Sequence, residues 1–295
     1  MARGQALALG TLTLLGSWHP HHGPPKPPER ITHEASGIEL VRIYDPTHHD
    51  FLYIGETEVT TGQFRKFVEA TGYKTDAERG IDDGNGNGVG TFTALPEGER
   101  EWSKTTTWRT AFDRFADFKL TDDYPAMQVS WNDAQAFAKH YGLRLPTEGE
   151  WEIAARAGAR TLYPWGDDPR DGAGWANVRD QAAAKIYGQP EICFPFDDGT
   201  PIVAKVKSYK PNAWGLYDVI GNVAEWVDES YKSARILKGG AWNDYPDGAS
   251  LKSRAGMTPA SRRDFIGFRV AAGVRTPGLR PTSETSGRGG PAGVR

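Results

Sequence analysis

The chain has 295 residues, of which 38% are hydrophobic and 25% are charged, and its formal net charge is -3. Because acidic and basic residues are mixed along the sequence, it offers no basic stripe for nucleic acid and no polybasic patch for an anionic membrane. Cys193 is the only cysteine, which excludes an intramolecular disulfide bond and zinc sites built from several cysteines.

The first 29 residues have features of export rather than of a folded domain. Arg3 precedes an apolar run at residues 6–16, which has the length of a signal-peptide core and is too short to span a bilayer. Residues 19–29 are rich in proline and histidine, which is typical of an extended linker. We predict a signal segment and linker over residues 1–29 and a periplasmic or extracellular location, with a cytoplasmic protein as the alternative.

Apolar and β-branched residues predict strands at residues 37–43, 51–54 and 267–271. Between them, the segment 59–61 opens a helix in which apolar residues recur at helical spacing, and Gly72 ends it.

Two further helices are predicted from their capping residues. Ser130 is a good N-cap for one of them. Thr147 caps the other, with Glu150 three residues on in the capping-box pattern, and Gly158 stops it. The elements together indicate an α+β domain with much irregular chain.

Large aromatic residues are expected to fasten these loops. The chain has ten tryptophans beside 35 glycines and 20 prolines. We expect most indoles to be core anchors whose N–H groups donate to backbone carbonyls; the ones that follow or precede small residues are Trp131, Trp151, Trp165, Trp214, Trp226 and Trp242.

Seven segments occur together in the order found in one known family. They are EVTTGQF (58–64), YPAMQVSW (124–131), LRLPTEGEWE (143–152), PWGD (164–167), PNAWGLYD with GNVAEW (211–226), KGGAW (238–242) and IGFRV (266–270). The chain thereby resembles the formylglycine-generating-enzyme, or sulfatase-modifying-factor, family. The resemblance implies a single loop-rich α+β domain, a variant of the C-type lectin fold, over residues 30–274. Few apolar residues follow, so we expect residues 275–295 to be a disordered tail.

The resemblance also implies two structural calcium ions. Hard cations take oxygen ligands, which irregular backbone can offer. The alternative is that the acidic residues only cap turns. The implied ligands are the side chains of Asp218 and Glu225 with the carbonyls of Gly221 and Val223 for one ion, and the side chains of Asn177 and Asp198 with the carbonyls of Val178 and Thr200 for the other.

Residues 83–88 imitate the first half of an EF-hand loop. Ala94 stands at the twelfth position, where such a loop needs a bidentate glutamate. We therefore expect a flexible glycine-rich surface loop rather than a calcium site.

The family's oxidase uses two cysteines before the GFR segment, where thiolates bind copper. Residues 243–254 contain no thiol, and by spacing from Gly267 it is Leu251 that occupies the place of the second cysteine. Cu(I) prefers soft ligands, so we expect no copper. An indole is also missing at Ala224, and Cys193 is expected to be a small buried residue.

Iron chemistry has little support either. A facial triad needs two histidines and a carboxylate, and only His140 lies beyond position 49. We expect His140 to be a surface or core residue, and His48 and His49 to point in opposite directions in an extended chain. The predicted linker contains three more histidines, which are His19, His21 and His22.

Polar and basic residues concentrate in residues 250–263, where the family holds its substrate. They suggest a recognition surface for an anionic or polar ligand, with a solvated loop as the alternative.

The leading hypothesis is an exported, calcium-stabilised module without oxidase activity that binds a protein, peptide or glycan. The alternatives are a cofactor-poor oxidoreductase of the same family acting on a secreted precursor, and a diversified ligand-binding protein. The candidate ligand-binding residues are Trp242, Asn243, Ser253, Arg254 and Arg262.

Overall fold

The structure, a computed structural model, describes residues 29–281 except Asn85 and Asn87, and of Pro281 only the backbone. The predicted signal segment and linker before residue 29 lie outside the described residues, as do the linker histidines and the tail beyond residue 281. No helix in the described part of the chain is both long enough and apolar enough to cross a membrane.

The described residues form eleven strands and four α-helices. The strands are β1 (Arg30–His33), β2 (Ile38–Asp45), β3 (Asp50–Gly55), β4 (Thr91–Ala94), β5 (Arg100–Ser103), β6 (Ala224–Tyr231), β7 (Ala234–Lys238), β8 (Arg254–Met257), β9 (Ile266–Phe268), β10 (Ala271–Gly273) and β11 (Leu279–Pro281). The helices are α1 (Thr61–Thr71), α2 (Trp131–His140), α3 (Glu148–Arg156) and α4 (Gln181–Tyr187).

The strands pair in three sheets. A five-stranded sheet has the order β10-β3-β2-β1-β11 and is antiparallel throughout, so it joins the two ends of the domain. A four-stranded sheet has the order β8-β7-β6-β9, in which β6 and β9 are parallel. β4 and β5 form a separate two-stranded sheet. These sheets, with long irregular connections between them, confirm the predicted loop-rich α+β class.

Local sequence determines where three of the helices begin. Thr60, Ser130 and Thr147 each accept the backbone N–H three residues on, and the side chain of that third residue accepts the cap's own N–H. The three predicted helices are thus confirmed. α3 stops at Ala157, which adopts a left-handed conformation (φ 47°), one residue before the predicted Gly158.

Several elements were not predicted, among them α4 and β11. α4 begins where the side chain of Asp180 accepts two backbone N–H groups. β11 lies in the stretch from residue 275 onward, where we predicted disorder, and that prediction is wrong for residues 279–281. Pairing with β1 and the packing of Leu279 against the core order this strand.

Buried tryptophans anchor loops to the core, as predicted. Trp226 and Trp242 are almost completely buried. The Trp226 indole donates to the Val129 carbonyl at 3.1 Å, and the Trp242 indole donates to the Asp264 carbonyl at 3.2 Å. Because both carbonyls belong to loops, each indole fixes an irregular segment while its own N–H group is satisfied.

Candidate functional site

A buried charge centre lies where β6 runs beside β9. Glu225 of β6 and Arg269, which follows β9, are each 1% exposed. Arg269 donates to the two oxygens of Glu225 through Nη2 and Nε, at 2.6 Å each, and the Trp151 indole donates to the same carboxylate at 2.7 Å. Arg269 also donates to the carbonyls of Gly55 and Tyr217. The pair is therefore fully hydrogen-bonded, as a buried ion pair must be.

Two more carboxylates, Glu58 and Asp218, share this centre. Glu58 accepts from the Asn222 side chain at 3.1 Å, and Asp218 accepts from the Lys207 backbone at 2.9 Å. The second oxygen of each, Oε2 of Glu58 and Oδ1 of Asp218, is buried without a hydrogen-bond partner in the described part of the chain. Burial, and then the neighbouring carboxylates, raise the pKa of Glu58 well above its usual value, and burial raises the pKa of Asp218 to about 6. A bound cation would offset this surplus of negative charge.

The second predicted ligand set has the same character. Oδ1 of Asn177 and Oδ2 of Asp198 are buried and lack a hydrogen-bond partner among the residues described. The Asn177 amide nitrogen donates to the Ile202 carbonyl at 2.8 Å, and the other Asp198 oxygen accepts from the Thr200 backbone at 2.7 Å. Burial first, and then Asp180, raise the pKa of Asp198 to about 7. Buried oxygens without donors, presented by a loop, suit a hard cation.

Backbone contacts hold the two sets side by side. The Asn222 N–H donates to the Asn177 carbonyl at 2.7 Å, and Asn177 pairs with Gly221 in an isolated parallel bridge. Gly221 has a φ of 76°, and a Cβ atom at this position would lie 2.0 Å from the Asn177 carbonyl oxygen. Only glycine permits this approach of the two loops.

The predicted calcium ligands differ in whether they have an oxygen atom available to bind the ion. Among the described residues, no group of three or more His, Cys, Asp or Glu side chains could hold a metal ion, so each set would depend on backbone carbonyls. Asn177, Asp198 and Asp218 each offer a free side-chain oxygen. Glu225 already accepts three N–H groups and is less available than predicted, whereas Glu58, which the sequence analysis missed, supplies a free oxygen. Of the predicted carbonyl donors, Val178, Gly221 and Val223 are buried and Thr200 is half-buried.

A groove of about 340 Å³ lies beside β7 and β8. Ser253 and Arg254, two of the predicted ligand-binding residues, line it together with the carboxylates Asp244 and Asp247. Much of the remaining surface is apolar, with side chains from Ala224, Leu237, Ala255, Met257 and Phe265.

The free charge at this groove is negative. Arg254 donates to both oxygens of Glu148, at 2.9 and 3.1 Å, so its charge is already compensated. Among the described residues, neither Asp244 nor Asp247 takes part in a salt bridge. Burial raises the pKa of Asp244, so Asp247, which is exposed, is the stronger source of negative charge. The groove therefore favours a cationic or neutral ligand over the anionic ligand that the sequence suggested.

The other candidate residues lie elsewhere. Trp242 is 1% exposed and packs between the rings of Phe112 and Tyr187. Arg262 is also 1% exposed and donates to two backbone carbonyls. Placing these two on a ligand-binding surface was wrong, because both belong to the interior. Asn243 is half-buried, and its side-chain oxygen has no partner within the described chain.

Among the residues that the structure describes, only Met257 brings a sulfur atom, that of its thioether, to the groove. Leu251 belongs to the core, and Cys193 is 6% exposed with its thiol donating to the Gln189 carbonyl at 3.2 Å. Burial raises the pKa of the Cys193 thiol, which disfavours the nucleophilic thiolate. Cys193 is thus confirmed as a small buried residue, and His140 is confirmed as an exposed residue of α2.

The glycine-rich loop is only partly a surface feature. Gly84 and Gly86 are exposed, as predicted, and Asn85 and Asn87 lie outside the described residues. Asp83 is completely buried and pairs with Arg263 at 3.1 Å, so the prediction of a flexible surface segment was wrong for Asp83.

Both the sequence and the fold of this chain are similar to those of known proteins. Residues 43–274 match the sulfatase-modifying factor enzyme 1-like domain. The formylglycine-generating enzyme of Streptomyces coelicolor is 34% identical over 252 residues, covering 74% of this chain and 77% of its own. The inactive C-alpha-formylglycine-generating enzyme 2 of Bos taurus is 34% identical over 241 residues, covering 74% and 76%. The structure of PvdO from Pseudomonas aeruginosa covers 84% of this chain and 99% of its own with a TM-score of 0.60 and 22% identity, which shows a shared fold.

Proposed function

This chain belongs to the family of sulfatase-modifying factor enzyme 1-like domains, and on that basis we propose that it is a recognition module without the thiol-dependent oxidase reaction. The observation that carries the proposal is the single cysteine in 295 residues. A reaction that needs two thiolates on one copper ion has no second thiol to use. The one thiol, Cys193, is buried and does not line the groove.

Similarity to relatives does not decide activity in this family. A relative named as the enzyme and a relative named as inactive are both 34% identical to this chain. The groove itself is therefore the better guide. It offers the carboxylates Asp244 and Asp247 over an apolar wall that includes Leu237 and Phe265. A protein, peptide or glycan ligand with a basic or neutral contact group would suit this lining.

Calcium at the two loop sets is part of the proposal. Asn177 and Asp198 would hold one ion, and Asp218 with Glu58 would contribute to the other, because their buried oxygens lack partners within the described chain. Bound calcium would supply the positive charge that these carboxylates need. Sites with few charged ligands suit the calcium concentrations outside cells, in agreement with the export that we propose.

The oxidase part is tested with a cysteine-containing sulfatase peptide, copper and oxygen, with mass spectrometry of the product. The formylglycine-generating enzyme of S. coelicolor serves as the positive control. We expect the peptide thiol to remain unchanged with this chain. Appearance of the aldehyde would contradict the proposal.

The recognition part is tested by binding to a glycan array and to a library of basic and acidic peptides. Ala255→Trp would fill the groove, because Ala255 is exposed and lines it. The control is Lys252→Ala, since Lys252 is exposed and is not a lining residue. We expect captured ligands to be basic or neutral and to be lost only with Ala255→Trp. If the Ala255→Trp variant still binds these ligands, the binding surface lies outside the groove.

A further inference from the structure

A second and larger cavity, of about 580 Å³, lies between the turn that joins β2 to β3, the start of α3 and the segment after β10. It shares no lining residue with the groove. Its charged lining consists of three carboxylates and three cationic side chains, so the hydrogen bonds that these groups already make decide what the cavity can bind.

Two of the carboxylates have no oxygen without a donor. Asp45 accepts from the Thr47 backbone at 2.8 Å and from Nδ1 of His48 at 2.5 Å. Glu150 accepts two bonds from Arg144, at 2.6 and 2.7 Å, and one from the Thr147 backbone at 2.8 Å. Arg144 is neutralised by this bidentate pair.

Two of the cations retain free donors. Nδ1 of His48 faces Asp45, so a protonated imidazole presents Nε2–H as an unused donor. Arg275 is exposed and forms no hydrogen bond or salt bridge with any residue that the structure describes. The neighbouring His49 contacts the Tyr44 hydroxyl and does not line the cavity. The two histidines lie in a turn, and their rings have different partners.

The third carboxylate limits the charge of a ligand. Asp50 is exposed, and one of its oxygens accepts its neighbour's backbone N–H at 2.7 Å. Its negative charge opposes an anion, so a monoanion is favoured over a phosphate dianion. Phe51 and Val274, which are 39% and 41% exposed, also line the cavity and add an apolar wall.

We propose that this cavity is a second binding site, for a carboxylate monoanion that carries an apolar group, held by His48 and Arg275 with its apolar part on Phe51 and Val274. A peptide C-terminus and a small apolar acid share this chemistry. Binding requires protonated His48. The charged groups that line the cavity together with His48 are Asp45, Asp50 and Glu150, whose charges favour its proton, and Arg144 and Arg275, whose charges oppose it. Hydrogen bonding to Asp45 chiefly raises the pKa of His48, with a further contribution from Glu150.

The test follows the imidazole signals of the full chain by NMR during titration with N-acetylleucine at about pH 6 and about pH 8. The His48 signal is assigned from His48→Gln. N-acetylleucine amide is the uncharged control ligand, and a short peptide ending in free or amidated leucine is the second source. Arg280→Gln is the control for Arg275→Gln, since Arg280 pairs with Glu34 and does not line the cavity.

We expect N-acetylleucine to shift the His48 signal and the amide to leave it unchanged. His48→Gln and Arg275→Gln should each weaken binding about tenfold or more, because each removes a charge-assisted hydrogen bond. Asp50→Asn should tighten binding, and affinity should fall about tenfold for each pH unit above the pKa of His48.

Equal binding of acid and amide, or unchanged affinity in either His48→Gln or Arg275→Gln, would overturn the proposal. Tighter binding of the free-ended peptide than of N-acetylleucine would assign the site to chain termini, and the reverse would assign it to small acids. Both of these results support the carboxylate site. The proposed groove function is unaffected by any of these outcomes.

Discussion

Arg269 donates two hydrogen bonds of 2.6 Å to Glu225, and both side chains are almost completely buried. Glu225→Gln removes the charged acceptor of both Arg269 hydrogen bonds and of the Trp151 indole, and leaves Arg269 only the carboxylates Glu58 and Asp218 as charge partners. We expect Glu225→Gln to lower the free energy of unfolding by about 3–5 kcal/mol. Urea denaturation of the purified chain measures this directly.

The matched control for that change is an exposed ion pair. Arg114 and Glu101 pair at 3.2 Å with 55% and 41% of their side chains exposed. Arg114→Gln should shift the urea midpoint far less than Glu225→Gln, because solvent screens the exposed pair. Equal shifts would mean that the buried pair contributes no more than a surface contact.

Calcium removal should destabilise the chain if both loop sets hold the ion. A ligand at a hundred times its dissociation constant stabilises the folded state by about 2.7 kcal/mol, so chelation should lower the thermal midpoint measurably. Asp198→Ala and Asp218→Ala should each lose one of about two bound calcium ions, measured by elemental analysis, because alanine removes the oxygen ligand. Asp197→Ala should keep both ions, since Asp197 is exposed and pairs with Lys185. Calcium content that is the same in all three variants would remove these aspartates from the sites.

Asp133, whose buried side chain accepts the Ser130 N–H in the capping box of α2, should make the stability of the chain depend on pH. Burial first, and then Asp76, raise the pKa of Asp133 from 3.8 to about 6. Because the folded state binds this proton more tightly than the unfolded chain, the stabilisation is fully present below about pH 3.8 and is lost as the pH rises through about 6. In Asp133→Asn this loss should vanish, flattening the pH profile of the unfolding free energy by on the order of 2–3 kcal/mol.

Urea denaturation across this pH range measures the slope for the natural chain and the variant. Asp113→Asn is the control, because Asp113 is exposed. An unchanged slope in Asp133→Asn would show that other groups cause the pH dependence.

The sequence predicts best what is decided locally. The capping boxes at Thr60, Ser130 and Thr147 depend on residues three positions apart, so the helix starts were predictable. The strand predicted over residues 267–271 is in fact parts of two short strands in different sheets, which Arg269 and Val270 separate. Hydrophobic periodicity indicates extended chain and does not indicate which sheet each part joins.

The candidate site depends on contacts between distant parts of the chain. Glu58 precedes α1 and shares its surroundings with Asp218 and Glu225 only after folding, so no spacing pattern marks it as a ligand. Trp242 and Arg254 lie in the same region of the sequence, but Trp242 is buried and Arg254 is exposed, and the sequence does not show this difference. The pairing of Arg254 with Glu148 reversed the predicted charge preference of the groove, and this pairing also joins distant residues.

Gly221 tests whether the two calcium loops form one unit. An alanine here would place Cβ 2.0 Å from the Asn177 carbonyl oxygen, besides requiring a φ of 76°. Gly174 has a similar φ of 75°, and a Cβ atom added there would meet nothing within 4 Å, so Gly174→Ala isolates the backbone strain of about 1–2 kcal/mol. Gly221→Ala should destabilise the chain by more than this control and should release calcium from both sets, because the clash forces the loops apart. Retention of both ions in a folded Gly221→Ala variant, measured by elemental analysis and circular dichroism, would show that the two sets are independent.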